Sequence, residues 1–455
     1  MSTLIVWFRR DLRLADHPAL TAAVANGARI VPVFVWNPAE DAPWSPGAAT
    51  RWYLQASLRS LAASLEALGS RLVLARGDPF EVLPRLAAAC DATAVTWSRR
   101  YEPSALKADA AVEAALRAAS LAPLPCAGSL LCEPWTLLGR SGTSYKVFTP
   151  YWREFLARTR VNVPLTTPES LPPPQRWPAS ESFETLGIAP TERWQMKLAA
   201  HWKPGEDAAS EALKTFAARS PERYASDRDR TDLGAGSRLS PHLHHGELSP
   251  RQVWVEVGRQ ARRSGQSDED WRSGKFLSEL IWREFAAQAL YHFPELPDRS
   301  FLPQFESLEW REAPADFAAW SRGRTGIAMV DAGMRELWET GWMHNRSRMI
   351  VASFLVKNLL IHWREGARWF WDTLVDADLA NNSLNWQWVA GTGPDAAPWF
   401  RIFNPDTQAE KFDPEGAYRQ RWLGTRDADV AKPIADLKST RERALAAQKQ
   451  LRGSR

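Results

Sequence analysis

The first 130 residues alternate short apolar runs with longer amphipathic stretches. The runs have the composition of β-strands, and the stretches between them have the apolar spacing of helices. Strands that alternate with helices predict a doubly wound parallel sheet. The predicted strands are residues 4–8, 30–36, 72–74 and 94–97, and the predicted helices are residues 16–26, 50–68, 79–89 and 103–120.

The α/β pattern ends near residue 130. Residues 131–203 include the proline-rich LTTPESLPPPQRWP, which predicts an interdomain connector. Beyond it only helical spacing is found, in residues 206–219, 250–264, 274–291, 328–340 and 345–363. Because 455 residues are too many for one core, we predict two domains. These are an α/β domain over 1–130 and an all-helical domain over 204–455, joined by the connector 131–203.

Composition and missing motifs exclude several classes of protein. The chain has no apolar stretch of a membrane span, and charges occupy the place of a signal-peptide core. The three cysteines, Cys90, Cys126 and Cys132, form no C-x-x-C pair and favour a reducing cytoplasm. The α/β half has neither G-x-G-x-x-G after its first strand nor the phosphate loop G-x-x-x-x-G-K-[ST]. The formal charge of +4 permits a polyanionic partner but does not require one.

Tryptophan is unusually frequent, with 24 residues against 7 tyrosines. Packing in a large core accounts for most of them. The count also favours some indoles as electron carriers or as platforms for stacked bases.

The segment GSRLSPHLHHGELSPRQVW, residues 236–254, contains groups that suit a phosphate. Hydroxyls, a guanidinium and the backbone N–H groups of a helix start are its natural donors. Two capped helices in succession would explain the same pattern. His242, His244 and His245 do not have the spacing of H-E-x-x-H, so we expect no metal site.

Two further segments place charges among apolar residues. In FLSELIWREF, Glu279, Trp282 and Arg283 share one face of a predicted helix, although a surface ion pair beside a core indole is the alternative. Further on, Arg348 and Asp376 lie in segments apolar enough to be buried, where charges must pair or bind something polar. A structural salt bridge between these two remains open. The nearby asparagines and tryptophans of NNSLNWQW are unusual for a loop, though turn formation explains some asparagines.

Five segments, and the order in which they occur, resemble the photolyase and cryptochrome family: WFRRDLRLADHPAL, SRLSPHLHHGELSPR, LIWREF, TGWMHNRSRM and WQWVAGTGPDAAPWFRIFNP. The resemblance extends from Trp7 to Trp422. The resemblance implies a folded-back FAD inside the helical domain. It also implies a lyase that repairs cyclobutane pyrimidine dimers in DNA by light-driven electron transfer from reduced FAD. The dimer would be flipped out of the duplex into a cavity above the flavin.

The resemblance also implies roles for single residues. For FAD these are Tyr224, Gly236, Ser237, Arg238, Leu239, Ser240, Phe276, Arg283, Arg348, Asp376 and Asp378, with the neutral amide of Asn382 facing flavin N5. For the lesion, Trp282 and Trp388 would wall the cavity, Glu279 and Asn345 would hydrogen-bond the pyrimidines, and Met349 would pack on them. Contacts to the flanking DNA backbone would come from Arg228, Arg346 and Gln408. Trp386, Trp363 and Trp310 match the family's relay that reduces the flavin, with packing as the alternative for each.

Two features depart from the family pattern. Gly236 stands where relatives often have a hydroxyl residue, and the last helix follows Trp422 sooner than in many relatives. An antenna chromophore, methenyltetrahydrofolate or 8-hydroxy-5-deazaflavin, would involve Trp36, Arg51 and Glu102, although Glu102 also suits the first turn of a helix. A monomer acting on damaged DNA, with no membrane contact, is expected. The competing functions are a cryptochrome photoreceptor without repair activity and a (6-4) photolyase.

Overall fold

The computed structural model describes residues 2–139, 141–190, 193–219, 221–424 and 432–453. Its N-terminal part is a parallel sheet whose strands lie in the order β3-β2-β1-β4-β5. The strands are β1 Thr3–Phe8, β2 Arg29–Trp36, β3 Val73–Arg76, β4 Ala92–Ser98 and β5 Ala122–Cys126. The connecting helices are α1 Pro18–Ala25, α2 Ala48–Ala67, α3 Pro79–Ala89 and α4 Pro103–Ala118. The predicted parallel sheet is confirmed.

One strand was missed. β5 has the sequence APLPC and pairs with β4, from Ala94 opposite Ala122 to Ser98 opposite Cys126. Its two prolines cannot donate to a ladder, which argues against a central strand. At the edge of the sheet only one side needs donors, so the prolines are tolerated.

Part of the predicted connector is built into the helical domain. It contains α5 Phe148–Arg158, the short α6 Phe183–Leu186 and a 3₁₀ turn, Trp194–Ala200. The buried residues of α5, Phe148, Tyr151 and Phe155, pack in the core of the helical domain. The domain limits at 130 and 203 stay a prediction.

The rest of the chain is helical where the structure describes it. The helices are α7 Glu206–Ala217, α8 Pro221–Asp227, α9 Ser240–His244, α10 Pro250–Arg263, α11 Asp268–Arg272, α12 Lys275–His292, α13 Pro314–Ser321, α14 Ala328–Thr340, α15 Asn345–Ser353, α16 Trp363–Thr373, α17 Leu379–Ala390, α18 Pro405–Phe412, α19 Ala417–Leu423 and α20 Leu437–Gly453. None of the described helices is long and apolar enough to cross a membrane.

The helix expected over 345–363 is interrupted. After α15 the chain makes a π-helical turn, Phe354–Asn358, and Leu360 then has a left-handed backbone, with φ of 55°. The side chain of His362 accepts a hydrogen bond from the Arg364 amide and so begins α16 as a new helix. Apolar spacing continues through this break, which is why the pattern reads as one helix.

The two domains are joined by buried polar contacts from the segment after β1. Asp16 is fully buried, and its carboxylate accepts from the Leu165 amide at 2.9 Å, from Arg251 Nε at 3.0 Å and from the Ser249 hydroxyl. Arg13 donates to the carbonyls of Gly246 and Gly128, each at 3.0 Å. The motif RRDLRLADH therefore forms much of the domain interface.

A second buried contact involves Glu247. Its carboxylate accepts from the Tyr53 hydroxyl of α2 at 3.1 Å, from Ser57 and from the Gly205 amide, and it faces His242. Burial, and then the nearby Glu247 charge, raise the pKa of Tyr53 well above its usual range. Tyr53 also stacks on His245, with ring centroids 4.5 Å apart. Since His245 Nε2 lies 3.1 Å from the Val375 carbonyl, this network reaches the residue before Asp376.

Candidate functional site

The predicted phosphate segment lies at the start of α9. Arg238 has φ of 54°, and its guanidinium lies over the rings of Trp202 and Trp342, 4.5 and 5.1 Å from their centroids. It forms no ion pair with any carboxylate of the described residues. A Cβ on Gly236 would meet nothing within 4 Å, so no steric reason requires glycine there. An exposed guanidinium held by two indoles, with no internal partner, suits a bound anion.

Ser240, Asp376 and Arg348 are brought together. The Ser240 hydroxyl donates to Asp376 at 2.6 Å, and Arg348 Nη2 forms bonds of 2.9 and 3.1 Å to the two oxygens of the same carboxylate. Arg348 also donates from Nε to the Met343 carbonyl at 2.8 Å. The salt bridge left open from the sequence exists, and Ser240 extends it to the phosphate segment.

The asparagines lie in the first two turns of α17, Leu379–Ala390. Asp378 caps this helix by accepting from the backbone amide of Asn381 at 2.9 Å, and the side-chain amide of Asn381 donates to the same oxygen at 2.7 Å. Asn382 differs, because its amide nitrogen donates to the Ala367 carbonyl at 3.0 Å. Its amide oxygen has no partner among the described residues. This geometry fixes the nitrogen and leaves an acceptor for a ligand.

Tyr224 and Phe276 form an aromatic corner with centroids 5.4 Å apart, and Phe216 packs against Phe276 at 4.5 Å. Burial raises the pKa of Tyr224 to about 12. Leu239 is buried directly before α9. These three residues, predicted to contact FAD, therefore have apolar surroundings.

Arg283 and Asp378 line a cavity of about 60 Å³ between the domains, together with Glu102. Arg283 Nη1 donates to the Ser129 carbonyl at 3.2 Å. Glu279, one helical turn before Arg283 on α12, instead pairs with Arg228 and Lys275. The contacts of Glu279 and Arg283 thus point to different parts of the molecule.

Several predicted lesion and DNA residues lie near one another. Asp229 links Arg228 and Arg346 through ion pairs. Asn345 and Met349 are adjacent on α15, with Nδ2 and Sδ 4.0 Å apart. On α18, the buried Oε1 of Gln408 has no partner among the described atoms.

The two predicted indole walls are both partly exposed. Trp282 stacks on Phe148 with centroids 3.8 Å apart and rings 8° from parallel. The Arg401 guanidinium lies 5.7 Å from the Trp388 ring. Sequence reasoning missed Phe148, because it lies in the segment predicted as a connector.

The proposed relay tryptophans run from the interior outward. Trp386 and Trp363 are buried, and Trp310 is partly exposed. The His362 ring bridges Trp310 and Trp363, at 4.8 and 5.6 Å from their centroids. Gly366 is required beside Trp386, since a Cβ there would lie 2.1 Å from the indole.

A second aromatic column also starts at Trp386. Trp320 lies 6.3 Å away, Phe317 bridges Trp320 and Trp369 at 5.6 and 6.4 Å, and Trp338 follows at 6.2 Å with 41% of its surface exposed. Sequence reasoning did not identify this column. The one sequence feature that could have indicated it is the high tryptophan count.

The antenna candidates are not brought together. Although burial alone would raise it, the Arg100 and Arg10 guanidiniums lower the pKa of Glu102 to about 2. Glu102 lines the interdomain cavity, whereas Trp36 is buried at the end of β2 and Arg51 belongs to α2. Neither of the latter lines that cavity. No cluster of His, Cys, Asp and Glu suited to a metal ion occurs in the described residues.

Known proteins share this architecture. Residues 4–174 match the family described as DNA photolyase, and residues 276–448 match the FAD binding domain of DNA photolyase. The deoxyribodipyrimidine photo-lyase of Agrobacterium fabrum (strain C58) is 45% identical over 421 residues, covering 92% of this chain and 86% of the relative. Cryptochrome-2 of Arabidopsis thaliana is 37% identical, covering 92% and 70%.

The structural comparison agrees with the sequence comparison. The crystal structure of a bacterial class III photolyase from Agrobacterium tumefaciens matches with a TM-score of 0.93 and 41% identity, covering 100% of this chain and 98% of that one. Both the parallel sheet and the helical domain are therefore shared. The chain belongs to the DNA photolyase and cryptochrome family.

Proposed function

We propose that this chain splits cyclobutane pyrimidine dimers in DNA with light, using reduced FAD held in its helical domain. The observation that carries the proposal is the linked set Ser240, Asp376 and Arg348 beside Arg238. Both arginines contact the Trp342 ring, at 5.1 and 5.8 Å, so the paired charges and the unpaired guanidinium belong to one site. The match to an FAD binding domain and to photo-lyases supports the same assignment.

The residues present fit FAD. Arg238, Ser237 and the start of α9 would hold its phosphates, and Asn382 would accept a hydrogen bond at flavin N5. Because the neutral amide oxygen accepts a hydrogen bond without favouring a further proton on the flavin, Asn382 would suit an anionic reduced flavin. When bound and reduced, FAD supplies the light-excited electron that the dimer accepts and returns.

The lesion would be flipped out of the duplex between Trp282 and Trp388. Arg228 and Lys275 both pair with Oε1 of Glu279, so Oε2 would be the oxygen that accepts from a pyrimidine N–H. Asn345 and Met349 share one face of α15 and would meet the same bases. Arg228, Arg346 and Gln408 would position the flanking strand, a contact that carries little sequence information.

Trp386, Trp363 and Trp310 would carry electrons from the surface to an oxidised flavin. The bridging His362 ring and the partial exposure of Trp310 support this direction. The relay prepares the cofactor and takes no part in splitting the dimer. The second column through Trp320 offers another route.

We further propose an antenna chromophore, a folate or a deazaflavin. Of the three candidate residues we keep only Glu102 as its contact, because Glu102 alone lines the interdomain cavity. The interdomain cavity of about 60 Å³ is small beside ligand pockets of roughly 300–1,000 Å³, so such a chromophore would bind at its rim. We further propose that the protein acts on DNA as a monomer in the cytoplasm. Sedimentation of the purified protein with and without dimer-containing DNA tests the oligomeric state.

The central experiment uses the chemically reduced protein and an oligonucleotide with one cyclobutane dimer. Its ultraviolet absorbance should recover to that of the undamaged oligonucleotide in light, and not in darkness. A parallel sample with a (6-4) photoproduct should remain unrepaired, which separates the two photolyase activities. A fully flavinated protein that repairs neither substrate would overturn the proposal and favour a photoreceptor.

A further inference from the structure

We infer that Phe148 is a positioning residue that sets the gap between the two indole walls of the lesion site. The inference rests on the proposed roles of Trp282 and Trp388. The Phe148 ring stacks face to face on Trp282, at 3.8 Å, and its backbone amide donates to the Asp395 carboxylate at 3.2 Å. Asp395 belongs to the loop that follows Trp388 at the end of α17.

The ring of Phe148 backs Trp282 from the protein side. Phe148 is 6% exposed and packs in the core, whereas Trp282 is partly exposed. Trp152 also packs against Phe148, with ring centroids 5.8 Å apart and rings 25° from parallel. Phe148 covers one face of Trp282, and Phe285 contacts the same indole at 5.5 Å with rings 83° apart. We assign the opposite face of Trp282 to a base.

The backbone of Phe148 reaches the other wall. Asp395 has a left-handed backbone, with φ of 48°, in a loop whose Ala397 amide donates to the Trp388 carbonyl at 3.2 Å. Burial raises the pKa of Asp395, and the Phe148 amide opposes that shift by stabilising its charge. The same residue thus contacts Trp282 through its ring and the Trp388 loop through its amide. A change in either contact would alter the width available to two stacked pyrimidines.

The test compares binding to dimer-containing and undamaged DNA at one salt concentration, with flavin content and thermal midpoint measured for every variant. Phe148→Leu removes the ring, so we expect damaged-DNA affinity to fall about three- to tenfold while undamaged-DNA affinity is unchanged. Phe148→Tyr keeps the ring, so the ratio of damaged-DNA to undamaged-DNA affinity should stay within about twofold of the parent protein's.

A second pair of variants tests the contact to the Trp388 loop. Asp395→Gly suits the left-handed backbone and removes the carboxylate, so it should lower this affinity ratio. Asp395→Asn keeps an acceptor and should preserve the ratio.

Phe155→Leu is the matched control. Phe155 is buried on the same helix and contacts Tyr151 and Trp254. Its replacement by leucine should lower the thermal midpoint without changing the affinity ratio. Trp282→Ala tests the proposed function itself. If Trp282→Ala loses discrimination and Phe148→Leu does not, the positioning role is wrong and the lesion site stands. If Trp282→Ala keeps discrimination, the lesion site is wrong. Should Phe148→Leu fail to fold, an unchanged ratio in Asp395→Gly would overturn the inference.

Discussion

Polar groups at the domain interface and in the candidate site are satisfied to very different degrees. Both carboxylate oxygens of Asp16 are occupied by protein donors, and Glu247 is surrounded in the same way. In the site, Arg238 has no ion pair within the described chain, and the Asn382 amide oxygen has no partner there. The first set therefore indicates stability, whereas the second set offers a donor and an acceptor that a ligand can use.

The largest expected effect is at the interface. Asp16→Ala leaves Arg251, Ser249 and the Leu165 amide without their shared acceptor, so the free energy of unfolding should fall by about 3–5 kcal/mol. Denaturant titration measures it. The absorption spectrum of flavin bound to the folded variant should stay that of the parent protein.

Asp91→Ala is the matched control for Asp16→Ala. Asp91 also has φ of 53°, but its ion pair with Arg176 is exposed, so the loss should stay under about 1 kcal/mol apart from the shared backbone effect. Equal losses in the two variants would show that the left-handed backbone, and not the buried carboxylate, accounts for the effect.

A smaller effect is expected at Arg238. Arg238→Gln removes a charged donor from a bound phosphate, so FAD affinity should weaken by about 1.5–3 kcal/mol. The FAD-free protein should lose only about 1–2 kcal/mol of stability, because no internal ion pair is lost and the only contacts removed are those with the Trp202 and Trp342 rings. Titration of stripped protein with FAD gives the affinity, and Arg259→Gln, at an exposed pair with Glu256, serves as control. A destabilised variant with unchanged FAD affinity would contradict the ligand role.

At Trp363 we expect a smaller loss of stability than at Asp16. Its buried indole N–H has no partner in the described residues, whereas that of Trp320 donates to the Val351 carbonyl at 3.0 Å. Trp363→Phe should therefore change the free energy of unfolding by less than about 1.5 kcal/mol, and Trp320→Phe by more.

Photoreduction should rank the same two variants in the opposite order. With an external donor, Trp363→Phe should slow light-driven reduction of oxidised flavin more than Trp320→Phe. Repair by chemically reduced protein should be intact in Trp363→Phe. If Trp320→Phe is the slower variant in photoreduction, the second column is the main route.

Sequence patterns predicted the architecture well and the spatial relations poorly. Four strands and their helices were predicted because burial imposes clear periodicity. β5 was missed because its prolines argue against a strand, and the break after Asn358 was missed because apolar spacing continues through it. Glu279 and Arg283 fit one helical face, yet their contacts diverge, because helical spacing does not determine which neighbouring segments reach each side chain.

The sequence predicted the residues of the site, but it did not predict the residues that pack behind them. Family resemblance pointed to Ser240, Arg348 and Asp376, which the structure brings together. Phe148 and the column through Trp320 could not be found this way, since ring separations across distant segments leave no periodic trace. The FAD and lesion roles of single residues stay predictions.

The interface contacts of Asp16 have a consequence for biosynthesis. Its partners lie 149 residues later at Leu165 and 233 later at Ser249. During translation at about 5–20 residues per second, roughly ten to fifty seconds separate the appearance of Asp16 from that of Ser249. Throughout that interval the nascent α/β domain carries polar groups that its own residues cannot satisfy. The α/β domain is thus synthesised early, but its buried contacts are completed only when a much later part of the same chain has been made.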